Sequence, residues 1–176
     1  MSTDAPARPL INVADIALQP RPPAFAAKAD AATRFDARMG MVAPRIGARL
    51  LGYNITSVPP GMRAFPKHNH MVNEEMFFVL EGTGELHVGD ATHAVRAGDI
   101  IACPPGGPET AHQLVNTGDA ELKYLAVSTL LSPEVCQYPD SDKFAVSVAG
   151  ENPMPGQWRF RHVGRADDAH DYWEGE

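Results

Sequence analysis

The feature that most constrains the fold of this chain is a series of short strand-like runs that starts at about Ile46. The runs are ARLLGYNITSV, EMFFVLE, GELHV, ATHAVRA, DIIAC, HQLVN and AELKYLAVSTLL, and β-branched and aromatic residues are frequent in them. Gly, Pro or Asp follows these runs closely, and Gly89-Asp90 between two of them is typical of a hairpin turn. Short strands at this regular spacing predict an all-β sandwich or barrel.

The chain has 176 residues, which is enough for one domain with one core. Residues 1–45 are rich in Ala, Pro and scattered charge, and we interpret them as an N-terminal arm with a short helix over residues 26–40 that Gly40 ends. Residues 46–131 form the predicted barrel core. Residues 132–176 are predicted to add one strand, KFAVSVAG, and a tail whose aromatic residues hold it on the barrel.

The run EMFFVLE is apolar on both of its faces. In a strand Phe77 and Val79 point to one side, whereas Met76, Phe78 and Leu80 point to the other. One face can fill the barrel interior, and the other needs the arm, a second sheet or a second subunit to cover it. The sequence therefore predicts a homodimer.

Charge and cysteine content exclude several function classes. Fifteen Lys and Arg against twenty-two Asp and Glu give a net charge of -7, which does not attract nucleic acid or anionic lipid. The two cysteines, Cys103 and Cys136, are too few for a disulfide framework and fit a reducing compartment. Asp, Arg and Pro interrupt every apolar run of the first 25 residues, so we expect neither a signal peptide nor a membrane span, and a cytoplasmic location.

Four side chains form a candidate metal site. His68 and His70 are one residue apart, so in an extended segment both imidazoles leave the same face. A short turn then brings Glu75 to the start of the next strand, and His112 opens the run HQLVN behind a Gly/Pro loop. Three imidazoles and one carboxylate suit one divalent transition metal ion, Mn, Fe, Ni, Cu or Zn, with positions left for a substrate.

Two motifs in this region resemble those of the cupin superfamily. The first, Gly, His-x-His, Glu and Gly, is matched by Gly61, His68, His70, Glu75 and Gly82. The second, Gly, Pro-x-Gly, His and Asn, is matched by Gly98, Pro104, Gly106, His112 and Asn116. The resemblance is nearest to short bacterial single-domain cupins associated with sugars or sugar phosphates.

The resemblance implies a double-stranded β-helix, or jelly-roll barrel, with an N-terminal arm and a C-terminal tail. It also implies that His68, His70, Glu75 and His112 bind the metal and that two subunits pair. The spacing from Gly61 to His68 and the loop GGPETA before His112 are longer than the common form. Specificity therefore does not carry over from other members of the superfamily.

Other residues near the motifs have weaker assignments. Glu74 lies next to Glu75, but strand alternation sends the two side chains to opposite faces, and we assign the ligand to Glu75. Cys103 is interpreted as a small buried thiol, and His87 and His93 as structural. Candidates for lining a substrate pocket are Tyr53, Phe65, Phe77, Thr110 and Tyr124.

Two classes of function remain open. The first is a small metalloenzyme that acts on a small polar substrate, as an isomerase or epimerase of sugars or sugar phosphates or as a dioxygenase. The second is a non-catalytic protein that binds or senses a small molecule through the same metal. We favour the enzyme, although the sequence assigns no residue to proton transfer.

Overall fold

The computed structural model describes residues 8–150 and 158–176. The first seven residues of the predicted arm and residues 151–157 of the predicted tail lie outside the described residues. Within the described ranges the chain forms thirteen β-strands and six short 3-10 helices, so the predicted all-β fold is confirmed. None of the helices in these ranges has the length and apolar character that crossing a bilayer requires.

The strands follow one another along the whole described chain. In chain order they are β1 (Gln19–Pro20), β2 (Arg38–Met41), β3 (Leu51–Val58), β4 (Asn69–His70), β5 (Glu75–Glu81), β6 (Thr83–Val88), β7 (Ala91–Arg96), β8 (Ile100–Cys103), β9 (His112–Val115), β10 (Leu122–Thr129), β11 (Glu134–Tyr138), β12 (Lys143–Ala149) and β13 (Trp158–Gly164). The 3-10 helices are Val13–Asp15, Ala29–Thr33, Ala43–Arg45, Pro108–Thr110, Pro139–Ser141 and Ala166–Asp168.

These strands form three antiparallel sheets of a jelly roll. The largest has the order β1-β2-β3-β10-β5-β8, the second the order β13-β12-β11-β4, and the third the order β7-β6-β9. Neighbours in the sheets are often far apart in sequence, as β10 between β3 and β5 shows. The short strand β4, which carries His70, therefore lies beside β11, more than sixty residues later in the chain.

The core has an inner and an outer part. Phe77 and Val79 of β5 are buried in the inner part, together with residues from β3, β8, β9 and β10. On the opposite face of the large sheet, Leu80 packs against a second cluster that contains Ile16 and Ile55. The N-terminal segment thus covers a part of the outer apolar face of the sheet.

The predicted helix over residues 26–40 is wrong in most of its length. Only Ala29–Thr33 is helical, as a 3-10 helix, and β2 pairs with β3 so that Gly40 lies opposite Ile55. A Cβ atom on Gly40 would lie 2.3 Å from Cγ2 of Ile16. Because Gly40 has no side chain, Ile16 can pack closely against β2 at this position. Gly40 does not end a helix, because the pairing of β2 with β3 outweighs the local helix propensity.

The C-terminal part contains more strand than the sequence predicts. KFAVSVAG forms β12 as predicted, but β11 and β13 on either side of it were not predicted. Trp173 is 73% exposed and packs on Tyr172, which is itself 83% exposed, so the prediction that aromatic residues hold the tail on the barrel is wrong at Trp173. The limits of arm, core and tail at residues 45 and 131 stay predictions.

The homodimer stays a prediction, and the sheet offers a place to test it. Phe78 lies opposite Ile100 in the sheet, on the face turned away from the barrel interior, and Ile100 on the edge strand β8 is 73% exposed. We expect light scattering of the protein to give about twice the mass of 19.0 kDa, and Ile100→Glu to shift it towards the monomer because a charge replaces apolar contact area. The control is Tyr172→Glu, at a position that is 83% exposed. A monomer at all micromolar concentrations would contradict the prediction.

Candidate metal centre

The backbone holds the two histidine motifs against each other. The amide of His68 donates to the carbonyl of His112 at 3.1 Å, and the amide of His112 donates to the carbonyl of His68 at 2.8 Å. Directly opposed residues of antiparallel segments point to the same face, and the two imidazole centroids are 4.9 Å apart. The His70 ring follows on the same side, 5.1 Å from that of His68.

Each imidazole turns its Nδ1 atom away from the cluster. Nδ1 of His68 lies 2.8 Å from the Pro66 carbonyl oxygen, and Nδ1 of His112 lies 3.2 Å from the Thr110 carbonyl oxygen. A carbonyl only accepts, so these Nδ1 atoms carry the proton and the neutral rings direct the Nε2 lone pair inward. Fixing a histidine tautomer through its outer nitrogen is the usual support of a metal ligand.

The three Nε2 atoms converge on one carboxylate oxygen. Oε2 of Glu75 lies 3.1 Å from Nε2 of His112, 3.5 Å from Nε2 of His70 and 3.9 Å from Nε2 of His68. The Nε2 atom of His70 is buried and has no hydrogen-bond partner in the described part of the chain. Electron pairs this close repel one another unless a cation lies among them, so the donor set fits a divalent transition metal.

The pKa values show how the cluster carries its charge. Burial lowers the pKa of His68 to about 4, against the attraction of Glu75. Burial also disfavours the charged form of His70, but contacts with Cys136, Glu134 and Glu75 outweigh it and raise the pKa of His70 to about 12. Burial of Glu75 is outweighed by His112 and His70, so the pKa of this carboxyl lies well below its usual range. Near neutral pH His70 is therefore an imidazolium and Glu75 a carboxylate.

Strand β11 supplies side chains that sequence reasoning missed. Sγ of Cys136 lies 3.3 Å from Nδ1 of His70, and Oε2 of Glu134 lies 3.7 Å from the same atom. The ligand atoms of His70, Glu134 and Cys136 form a second group within 4.8 Å of one another. The alternation of Glu134, Cys136 and Tyr138 in EVCQY was the signal, because residues two apart in a strand share a face.

Asn69 ties the loop before His112 to the first histidine pair. It is fully buried, and its Nδ2 donates to the Gly106 carbonyl at 2.8 Å and to Oε1 of Gln137 at 3.1 Å. The amide of Gly106 in turn donates to the His70 carbonyl at 2.8 Å. The Pro-x-Gly loop thereby fixes the position of β4.

Two of the predicted pocket residues lie in the barrel interior, and a third lies at its mouth. The Phe77 ring is 5.8 Å from that of His112 and 5.4 Å from that of Tyr124, and both Phe77 and Tyr124 are buried. Phe65 is 37% exposed, and its ring is 6.3 Å from that of His68. Phe77 and Phe65 are thus aromatic neighbours of two of the imidazoles.

The other predicted residues have different surroundings. Thr110 directs its hydroxyl to the Gly107 carbonyl, so it contributes to the site through its own carbonyl, which holds His112. Tyr53 packs against the outer cluster under the arm and is not among the residues that line the cavity beside the four donors. Glu74 is exposed, whereas Glu75 points into the cluster.

Cys103 stands opposite Glu75 in β8 and is only 3% exposed. Burial, reinforced by the neighbouring charge of Glu75, raises the pKa of the Cys103 thiol to about 12. The thiol therefore stays protonated at neutral pH and does not serve as a nucleophile.

A cavity of about 250 Å³ opens beside the cluster. His70, Glu75, Glu134, Cys136 and Tyr138 are among the residues that line it. A small ligand in this space would lie against the open side of the donor set.

Comparison with known proteins finds a family model that matches part of the chain. A cupin-domain model matches residues 54–128, which include all four candidate ligands and both motifs in the predicted order. This part of the chain is similar to a cupin domain. The resemblance stated from the motifs is thereby confirmed, and so is the jelly-roll fold class. Cupins often bind a metal ion, in agreement with the donor set found here.

Similar proteins carry different names. The chain is 35% identical over 71 residues to an uncharacterized protein of Methanocaldococcus jannaschii and 32% identical over 74 residues to an oxalate-binding protein of Thermotoga maritima. These alignments cover 40% and 42% of this chain, and 54% and 58% of the two relatives, so the chain spans little more than half the length of the curated relatives that it matches. A sugar phosphate isomerase structure from Silicibacter pomeroyi is similar with a TM-score of 0.74 and 24% identity, over 92% of this chain and 95% of that one. At this identity the likeness shows the fold alone.

Removal of one imidazole should remove the metal. We expect His112→Ala and His68→Ala to weaken binding of zinc or manganese by at least about 100-fold, because each ring supplies one of four protein ligands. Elemental analysis and isothermal titration calorimetry measure this. His87→Ala is the matched control, since His87 contacts Glu85 on the neighbouring hairpin and lies outside the cluster. Full metal content in the double variant His68→Ala/His112→Ala would refute the site.

Metal binding should also release a proton. His70 has a raised pKa and is protonated near neutral pH, so an ion that takes its Nε2 lone pair must displace that proton. Affinity is expected to rise about tenfold per pH unit between about pH 6 and 8, while Glu75 stays ionised because its pKa is lowered. Calorimetry of zinc binding in buffers of different ionisation enthalpy measures the proton count. An affinity independent of pH in this range would contradict the assignment.

Proposed function

We propose that this protein is a metal-dependent enzyme that acts on a small, oxygen-rich substrate. The observation that supports this most directly is the convergence of three Nε2 atoms and one carboxylate oxygen within 4 Å, beside an open cavity. Four protein ligands leave positions free on an octahedral ion, unlike a closed structural site. The predicted cytoplasmic location and homodimer belong to this proposal.

His68, His70, Glu75 and His112 would hold the ion. When bound, it supplies a Lewis acid that polarises a carbonyl, hydroxyl or carboxylate of the substrate. The chain itself orients the substrate in the cavity, and Phe77 with Tyr124 excludes water from the inner side of the donor set. An apolar wall strengthens every charge interaction on that side.

The names of similar proteins agree with an oxygen-rich substrate. Sugar phosphate and oxalate both present closely spaced oxygen atoms, which suit two adjacent positions on one ion. We therefore propose isomerase- or epimerase-like chemistry on a sugar or sugar phosphate. Dioxygenase-like chemistry uses the same type of ligand set and is the second reaction class to test.

Tyr138 is the residue best placed to donate a hydrogen bond to a bound substrate. It lines the cavity, and its ring stacks at 6.0 Å on that of His68. Burial raises the pKa of the Tyr138 phenol, so the hydroxyl stays protonated at neutral pH. Tyr138→Phe should therefore lower activity while leaving metal content unchanged.

One observation favours the alternative of a non-catalytic binding or sensing protein. The carboxylates among the described residues that line the cavity are Glu75, a candidate ligand, and Glu134. Glu134 accepts from the amides of Asn73 at 2.8 Å and Val135 at 2.9 Å and from the Asn73 side chain. Burial raises the pKa of Glu134, but the contact with His70 and the hydrogen bonds from Asn73 outweigh burial and lower this pKa, which makes Glu134 a weak general base.

Deuterium exchange separates the two functions. The purified protein is loaded with manganese, iron or zinc and incubated in D₂O with aldose and ketose phosphates and with the neutral sugars. An isomerase or epimerase transfers a proton at the carbon next to the carbonyl, so proton NMR should show loss of that signal, and the His112→Ala control should not. A ligand that binds the metal-loaded protein and is recovered without exchange or oxidation supports the sensor.

Chelation tests whether the ion acts in function or only in folding. The inner core of apolar strands can support the fold without metal, so chelated protein should keep its β-sheet circular dichroism at room temperature and lose ligand binding. Glu75→Gln should leave the melting temperature within a few degrees while metal affinity falls. Unfolding of the chelated protein at room temperature would make the metal structural and remove the main support of the proposal.

A further inference from the structure

A second, larger cavity lies between the N-terminal arm and the C-terminal sheet. Its volume is about 880 Å³, and its walls come from the arm, β2, the turn at Phe65 and strands β11 to β13. The proposed function does not use this cavity. Tyr138, Trp158 and Arg161 line both it and the smaller cavity beside the metal cluster, so the two spaces share one wall.

The charged side chains that line the larger cavity in the described part of the chain are all positive. Arg21, Arg45, Lys143 and Arg161 line it, and none of the lining residues that the structure describes is acidic. This places four of the fifteen Lys and Arg residues of a chain with net charge -7 around one space. None of the four forms a salt bridge with an acidic side chain in the described ranges. An anion in the cavity would relieve the repulsion among them.

Aromatic rings hold two of the arginines in place. The guanidinium carbon of Arg21 lies 4.2 Å from the centroid of the Phe65 ring, and that of Arg161 lies 4.8 Å from the centroid of the Trp158 ring. A stacked guanidinium keeps the N–H groups on its edge directed sideways, where they suit the paired oxygens of a phosphate or carboxylate. Arg21 also donates to the Ala64 carbonyl, which anchors it.

The remaining wall of the cavity is mostly apolar. Phe25, Phe65 and Trp158 are 55%, 37% and 37% exposed, and Met39 and Met41 line the floor with several prolines. Contact with a flat or apolar group stabilises such a surface, because the contact removes apolar area from water. The matching ligand combines an anionic group with a planar or apolar body.

We infer that this cavity is an anion subsite that binds the phosphate or carboxylate of the substrate through Arg21 and Arg161, with the adjoining rings packed on its apolar part. This inference rests on the proposed function, in which the other end of the same ligand binds the metal ion. That end reaches the cluster past Phe65 and Tyr138, both of which contact the His68 ring. The N-terminal arm is then a part of the binding site and not only a cover for the sheet.

Phenyl phosphate tests the cavity without the metal. In chelated protein that carries Trp173→Phe, Trp158 is the single tryptophan, because the chain has two. Phenyl phosphate should change its fluorescence saturably, and phenol at equal concentration should not, because it lacks the charge. Benzoate is the second anionic probe. Tighter binding of phenyl phosphate would assign a phosphate to the subsite, and tighter binding of benzoate would assign a carboxylate.

Charge-removing variants locate the binding. Arg161→Gln and Arg21→Gln should each weaken phenyl phosphate by about tenfold or more, the usual cost of a lost charge-assisted hydrogen bond. The matched control is Arg159→Gln on the same strand, since Arg159 is exposed and does not line the cavity. Circular dichroism checks that each variant folds. Equal binding of phenol, unchanged affinity in both cavity variants, or an equal loss in Arg159→Gln would overturn the inference.

A further comparison separates this inference from the metal centre. Glucose 6-phosphate carries both a phosphate and oxygen donors, so zinc should tighten its binding, while phenyl phosphate should bind equally with and without zinc. The His112→Ala variant should bind phenyl phosphate normally and lose the zinc effect. If zinc has no effect on glucose 6-phosphate, the link to the metal centre is overturned although the anion subsite stands.

Discussion

The site depends on one pair of backbone hydrogen bonds, those that His68 and His112 exchange. This pair joins two histidines that are more than forty residues apart in the chain and sets their imidazoles on one face. Glu75 at the start of β5 then lies within 4 Å of all three Nε2 atoms. A shift of this pairing by one residue would turn the imidazole rings to the opposite face and separate the ligand atoms.

The surroundings of the cluster make it a place for a cation. The carbonyl groups of Pro66 and Thr110 accept hydrogen bonds from Nδ1 of His68 and His112, so the other nitrogen of each ring directs its lone pair to the centre. Without a cation the inward electron pairs would repel one another in a poorly solvated space. The pKa of His70 is raised because its ring contacts Cys136, Glu134 and Glu75, and the proton on the ring offsets the negative charge of the carboxylates.

The N-terminal arm has two roles that no local pattern reveals. It covers the outer face of the sheet at Ile55, with Gly40 allowing its close approach. It also closes one side of the large basic cavity, where Arg21 stacks on Phe65. Both roles come from contacts between distant segments, so the arm that looked like an appendage is a part of the fold and of a candidate binding site.

The sequence by itself determined the all-β class, the resemblance to cupins and the candidate ligands, because strand alternation and motif spacing are local properties of the chain. His68, His70, Glu75 and His112 could be named without coordinates for this reason. Cys136, Tyr138 and Arg161 could not, since β11 and β13 reach the site only through pairing with distant strands. The pairing also decided that Gly40 lies in a strand and that Tyr53 packs under the arm. Side chains that gather around a site from separate segments are fixed by tertiary packing, whose free energy outweighs the local propensities that a sequence displays.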